Sequence, residues 1–227
     1  MALRAAIFDL DGLLVDSEVL WHRAEVEILG SRGVPVTEHE DRATKGMFVG
    51  EVVRYWWERY PWSPPAFDEV VAALLARVGD LVVAQGSLMP GATFALDEAA
   101  ARGPVALASS TPSALIERIL AHFDLGERFA AVCSAQDEAF GKPHPAVFLR
   151  AAERLDVPAT SCLVFEDSAA GVIAAKAGQM TVVAVPAPAD RDQPAFGLAD
   201  LRLGSLRDLA PAWLDARYGP ARPAGTA

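Results

Sequence analysis

The chain has 227 residues, with 20 Lys and Arg against 30 Asp and Glu and a formal net charge of −10 at pH 7. That excess of acid argues against a nucleic-acid partner or an anionic membrane surface, both of which need a basic face. With 52 % hydrophobic and 22 % charged residues the chain can bury a sizeable core, which excludes a disordered chain and fits one large α/β domain or a domain carrying a smaller insertion.

Residues 5–10 form a short apolar run that stops abruptly in acids, the mark of a buried parallel strand. Residues 17–85 then read as helical throughout. Their last helix keeps Phe67, Val70, Val71, Leu74, Leu75, Val78, Leu81 and Val82 on an i, i+3, i+4, i+7 stripe. A helical insertion of about 70 residues is too long for an ordinary βα loop, so residues 17–86 are expected to form a cap domain. Its flanks, 12–16 and 87–91, contain Gly and Pro suited to hinges.

Strand-like runs return at 105–108, 130–134, 162–165 and 181–185, separated by helical segments at about 111–120, 145–155 and 168–177. Strand and helix alternate, which predicts a Rossmann-like doubly wound parallel sheet built from residues 1–16 and 87–227. The tail 218–227, rich in Pro, Gly and Ala, is expected to fray. Cys133 and Cys162 lie in apolar runs and read as buried thiols of a reducing compartment. No apolar stretch approaches the ~20 residues of a membrane span, and acids interrupt the start before a signal-peptide core develops, so the expected location is the cytoplasm.

Candidate chemistry collects at the strand ends. Asp9 and Asp11 are two apart and share a face of an extended chain, although Asp and Gly are also ordinary turn formers. Glu166 and Asp167 close a second apolar run, and carboxylates from two neighbouring strand ends suit Mg²⁺, a hard cation that retains water and takes substrate phosphate as a further ligand. Ser168 after them suits a helix N-cap. Ser109, Ser110 and Thr111 precede a helix start, a natural place for an anion, where each hydroxyl can equally be a cap. Lys142 stands in a turn framed by Gly141 and Pro143, a stiff setting for a side chain that is usually loose on the surface.

In order along the chain, Asp9-Leu-Asp11-Gly, the strand-end Ser109, Lys142-Pro and Glu166-Asp167 resemble the four motifs of the haloacid dehalogenase-like phosphatases, and the helical insertion resembles their small helical cap. The resemblance covers about residues 5–209. Within that superfamily, FDLDGLLVDSEVLWHRAEVEILGSRGV, YWWERYPW and the stretch from KPHPAVF to VVAVPAP are similar to the bacterial hexitol and 2-deoxyglucose-6-phosphate phosphatases.

The resemblance implies Asp9 as the nucleophile that forms an aspartyl phosphate and Asp11 as the acid and then base. It implies Mg²⁺ on the Asp9 carboxylate, the Asp11 carbonyl and Asp167, with Ser109, Ser110 and Lys142 holding the phosphate and Glu166 acting one layer behind. The cap would close and choose the leaving group. Trp21, His22, Lys45, Trp57 and Trp62 are the candidate contacts, since aromatic faces and polar tips suit a sugar, whereas Trp at helical spacing also suits a cap core.

The expected activity is therefore Mg²⁺-dependent hydrolysis of a small phosphorylated sugar or sugar alcohol. The expected partner is that metabolite alone, with no nucleic acid or membrane, in a monomer or dimer. A β-phosphoglucomutase-like phosphotransferase shares the four motifs, but mutases of that kind carry a cap His at the position of Trp21 and an Arg shortly after Lys45-Gly46, where Phe48-Val49-Gly50 stands here. A non-catalytic phospho-ligand module would lack one of the acids or the Lys, and none is missing.

Overall fold

The computed structural model describes residues 3–37, 44, 46–63 and 66–221. Six strands, β1 Ala5–Phe8, β2 Val105–Ser109, β3 Ala131–Ser134, β4 Cys162–Glu166, β5 Thr181–Ala184 and β6 Leu201–Arg202, form one parallel sheet in the order β3-β2-β1-β4-β5-β6. The chain steps outward from β1 through β2 to β3, then returns to the other side of β1 and continues through β4 to β6. The switch between β1 and β4 opens a crevice beyond their carboxyl ends.

Both faces of the sheet are covered, which is why these strands read as continuous apolar runs. Alternation along them divides the core in two. Ala6, Phe8, Leu107, Leu163 and Phe165 face one layer, whereas Ala5, Ile7, Ala106, Cys162 and Val164 face the other. The Phe8 and Phe165 rings stack with centroids 4.3 Å apart, pinning β1 to β4 immediately before their acids.

Among the described residues, helices α1 Glu18–Gly30, α2 Val49–Arg59 and α3 Phe67–Gln85 lie between β1 and β2. The helical expectation for 17–85 needs correction: coil follows α1 at 31–37, where Gly33 adopts φ +81°, and Pro61 lies in the coil after α2. Glycine at positive φ and proline inside a stripe of apolar residues both end a helix. Helix α3 packs against α1 and α2 and also lies on α5 Ser113–His122, where Arg118 pairs with Asp80 at 2.7 Å. The chain crosses to and from these helices side by side, with Asp16 N donating to Ser87 O (2.9 Å) and Met89 N to Leu14 O (2.8 Å).

The remaining helices are α4 Ala92–Ala100, α6 Ala146–Arg154, α7 Ala169–Ala177 and α8 Pro211–Tyr218. Helices α4 and α8 and strand β6 carry weak sequence periodicity and depend on tertiary contacts. Buried Arg102 joins the two helices, meeting Glu98 at 2.9 Å and Asp215 at 2.6 Å. Fraying does not begin at Tyr218, whose hydroxyl donates to Ala5 O at 2.7 Å. Residues 222–227 of the tail lie outside the described part. Among the described residues no helix is long and apolar enough to cross a membrane.

Both cysteines are buried thiols, and burial pushes Cys162 up to about 11. A thiolate is the reactive form. In the folded protein neither thiol is expected to react with a disulfide reagent at mildly alkaline pH, and both are expected to react in denaturant. Titration with Ellman's reagent checks this, and a fast-reacting thiol in the native protein would contradict the burial.

Candidate active site

The first acid is placed by sheet pairing. Asp9 follows the last residue of β1, and its N–H donates to Phe165 O at 3.1 Å. The turn after it depends on Gly12, which adopts φ +74° and whose missing Cβ would stand 2.5 Å from Asp167 Oδ2. Any side chain at residue 12 would thus meet both backbone strain and the Asp167 carboxylate. That close approach brings the turn after β1 and the end of β4 into one site.

Lys142 reaches into it from the loop before α6. Its Nζ donates to Asp9 Oδ1 at 2.6 Å, to Glu166 Oε1 at 2.5 Å and to Ala108 O at 3.3 Å, so its three donors have three acceptors. All three side chains are buried, with Lys142 4 %, Asp9 6 % and Glu166 0 % exposed. Burial alone would pull the ammonium down, but the Asp9 and Glu166 charges reverse this and hold Lys142 above its ordinary value. Burial pushes Asp9 up to about 7, with Glu166 and Asp11 acting in the same direction and Lys142 opposing them.

Glu166 is held from its other oxygen by Ser168 N (2.8 Å) and Ser168 Oγ (2.9 Å), while Ser168 Oγ caps α7 by accepting from Gly171 N at 3.0 Å. Glu166 does not line the cavity, whereas Asp167 does. The close packing behind Glu166 rests on Gly171, where an added Cβ would fall 1.8 Å from Glu166 Oε1. Gly171→Ala is expected to displace Glu166 and with it Lys142, lowering turnover and costing about 1–3 kcal/mol of stability through overpacking. Urea unfolding alongside kcat checks it; wild-type values for both would show that α7 yields freely.

Asp11 is oriented by three donors. Ser17 Oγ (2.6 Å) and Trp21 Nε1 (2.9 Å) reach its Oδ1, and Thr111 Oγ1 (2.5 Å) reaches its Oδ2. Trp21 therefore ties α1 to the first strand's acid pair. Ser109 Oγ accepts from Thr111 N at 3.1 Å, and Ser110 Oγ donates to Gly46 O at 2.8 Å. Phe48 closes the same side, since a Cβ on Gly141 would meet its ring at 2.6 Å.

Together these groups open into a cavity of about 370 Å³, lined by Asp9, Asp11, Ser109, Ser110, Thr111, Lys142 and Asp167 from the sheet side. Trp21 and His22 line it from α1, together with Glu18 and Glu25. Trp57 and Trp62 do not reach it. They flank a separate cleft with Arg54, Glu58 and Phe67, and Trp57 is 45 % exposed. The physical reason is the facing of α2: it buries Val49, Val52, Val53 and Trp56, and the next residue is turned about 100° away. Lys45 lies outside the described residues.

Ser17, Thr111, Glu25 and Gly171 are additions that sequence reasoning did not assign to the site. In the sequence Thr111 reads with Ser109 and Ser110 as an anion site or a cap, with no link to Asp11, and Glu25 carries no role.

The donor set suits a hard divalent cation. Asp9 and Asp167 offer carboxylates to the cavity and Asp11 a carbonyl beside them, while Lys142 offsets the charge of Asp9 and Glu166. Among the described residues no group of three or more His, Cys, Asp or Glu side chains could hold a metal ion by itself. Two carboxylates and a carbonyl instead leave positions for water and substrate oxygen, which is the usual arrangement for Mg²⁺.

Comparison with known proteins places the chain in a family. Residues 3–179 match the family model of haloacid dehalogenase-like hydrolases. The chain is 42 % identical over 207 residues to hexitol phosphatase B of Escherichia coli strain K12, covering 90 % of this chain and 93 % of that protein. It is 33 % identical over 177 residues to a phosphorylated carbohydrates phosphatase of Thermotoga maritima, covering 77 % and 81 %. The crystal structure of CbbY from Rhodobacter sphaeroides in complex with phosphate superposes with a TM-score of 0.83 at 26 % identity, covering 92 % of this chain and 96 % of that one. With a family match across most of its length and the acid pair, lysine and second acid pair gathered at the carboxyl ends of the central strands, the chain belongs to the haloacid dehalogenase-like hydrolases.

Proposed function

We propose that this hydrolase is a phosphomonoesterase for small phosphorylated sugars or sugar alcohols, hexitol phosphates and 2-deoxyglucose 6-phosphate foremost, working through an aspartyl phosphate. The observation that carries the proposal is the buried Asp9–Lys142–Glu166 chain beside Asp11 at the base of one cavity. The identity to hexitol phosphatase B supports the choice of leaving group.

Asp9 attacks phosphorus, and the bond to the sugar oxygen breaks as the new acyl phosphate bond forms. Lys142 fixes the attacking carboxylate and offers charge to the transferring oxygens, together with the Ser109 hydroxyl and the Ser110 N–H. Asp11 supplies the proton for the departing oxygen, then takes one from the water that releases phosphate. Ser17 and Thr111 suit both duties, because a hydroxyl that donates to the carboxylate can turn and accept from the acid. Asp9, the Asp11 carbonyl and Asp167 would hold a divalent cation, which when bound would offset the negative charge of nucleophile and phosphate. Residues 17–86 act as the cap in this scheme, with Trp21 and the Ser110–Gly46 bond linking them to the core of residues 1–16 and 87–227.

Phosphate release measured over hexitol 6-phosphates, 2-deoxyglucose 6-phosphate, glucose and mannose phosphates, phosphoglycolate and nucleotides is expected to require Mg²⁺, to stop with EDTA and to favour the hexitol and deoxyhexose esters. A parallel assay of β-glucose 1-phosphate is expected to show no isomerisation. Isomerisation with little release, or no turnover of any ester, would overturn the proposal.

A further inference from the structure

Trp21 has an apolar body and a polar edge, and the fold uses them separately. The half-buried ring packs against the larger core cluster, while its N–H donates to Asp11 Oδ1 at 2.9 Å in the wall of the cavity. Ser17, four residues earlier and wholly buried, donates to the same oxygen at 2.6 Å. Residues at i and i+4 share a helix face, and Trp21 N donates to Ser17 O at 2.9 Å, so both side-chain donors stand on a formed turn rather than on a loose loop.

Thr111, which follows β2, holds the other Asp11 oxygen at 2.5 Å. The terminal torsion of an aspartate is broad, and donors on both oxygens stop the carboxyl plane from turning. The three donors are not equivalent. A hydroxyl hydrogen rotates to suit its surroundings, and Ser17 Oγ has a second acceptor in Val15 O at 3.4 Å. The indole N–H can only donate, in one direction, and the core holds the ring that carries it. Trp21 is therefore the rigid member of the set.

Resting on the phosphatase reading above, we propose that Trp21 is a positioning residue for leaving-group protonation: its indole N–H aims the Asp11 carboxyl at the ester oxygen, and it is not a hydrogen-bonding contact for the sugar. Its one donor is already engaged, so none remains for a substrate hydroxyl. Asp11 belongs to the sheet and Trp21 to the helical segment, so the segment that faces the leaving group also aims the acid that protonates it. Misplacing a catalytic group by about 1 Å can cost about 10²-fold.

Trp21→Phe keeps an aromatic ring in the core and removes the donor. The test compares kcat/KM for p-nitrophenyl phosphate, whose leaving group departs without a proton, and for phenyl phosphate, similar in shape but with a far more basic leaving oxygen. The loss in the variant is expected to be about tenfold or more greater for phenyl phosphate. With sorbitol 6-phosphate, kcat is expected to fall by a similar factor while KM stays near the wild-type value. A Trp21 that only packs would lower both phenyl esters equally, and one that binds the sugar would raise KM for sorbitol 6-phosphate and keep kcat. Either result overturns the proposal and leaves the phosphatase reading intact. Should Trp21→Phe not fold, 3-benzothienylalanine at residue 21, an equal bicycle with sulfur in place of the N–H, carries the same comparisons. Failure of wild type to hydrolyse any of the three esters would refute the phosphatase reading instead.

Discussion

Replacing Asp9 by Asn is expected to abolish phosphate release while leaving the fold undisturbed. The carboxamide oxygen can still accept from Lys142, so the bond now measured at 2.6 Å to Oδ1 has a successor, and no volume changes in a site that is 6 % exposed. What disappears is the nucleophile. With chemistry divided between an acyl phosphate and its hydrolysis, removal of the attacking oxygen leaves only positioning, and a fall of about 10³-fold or more is the scale seen for such groups. Burial raises Asp9 while Lys142 opposes it, and the carboxamide keeps an acceptor for an ammonium that Glu166 still neutralises, so the thermal midpoint should stay close to that of wild type. Single-turnover release and thermal melting decide the matter together: substantial residual turnover refutes Asp9 as nucleophile, and a large fall in melting temperature refutes the account of its burial.

Lys142→Met is expected to damage both stability and activity. The ammonium lies between two buried carboxylates, at 2.6 Å from Asp9 and 2.5 Å from Glu166, and Met fills much of its stem without its charge. Removing one partner of a buried ion pair leaves uncompensated charge, which costs about 3–5 kcal/mol. Turnover should fall as well, since the transferring phosphate loses its side-chain cation. Adding Glu166→Gln to Lys142→Met removes one stranded carboxylate and should recover part of the stability but none of the turnover. A double-mutant cycle in urea measures that coupling. Additive losses would mean that Lys142 and Glu166 act independently, against the hydrogen bond between them.

Charge and packing assign different roles to neighbouring acids. Glu166 ends β4 facing inward and is consumed by Lys142 and Ser168, whereas Asp167, one residue later, turns to the cavity beside Gly12. Strand geometry alone separates the two, because successive residues of an extended chain point to opposite sides.

By itself the sequence determined the doubly wound sheet and the location of its chemistry. Continuous apolar runs ending in Asp9, Ser109 and Glu166-Asp167 can belong only to strands buried on both faces, and the carboxyl ends of such strands converge at the β1/β4 switch. Lys142, framed by Gly141 and Pro143, could be read as held in place, because local backbone constraint is written in residue type. The facing of the helical segment was not legible. Trp56 and Trp57 are chemically equal neighbours, yet one is wholly buried against Glu25 and the other is 45 % exposed at a different cleft. A rotation of about 100° per residue makes that choice depend on which neighbour a helix packs against. Glu25, Ser17 and Thr111 were hidden for the same reason: an acid on a helix or a hydroxyl before one has an ordinary local use, and only contacts between segments distant in sequence turn it toward the cavity.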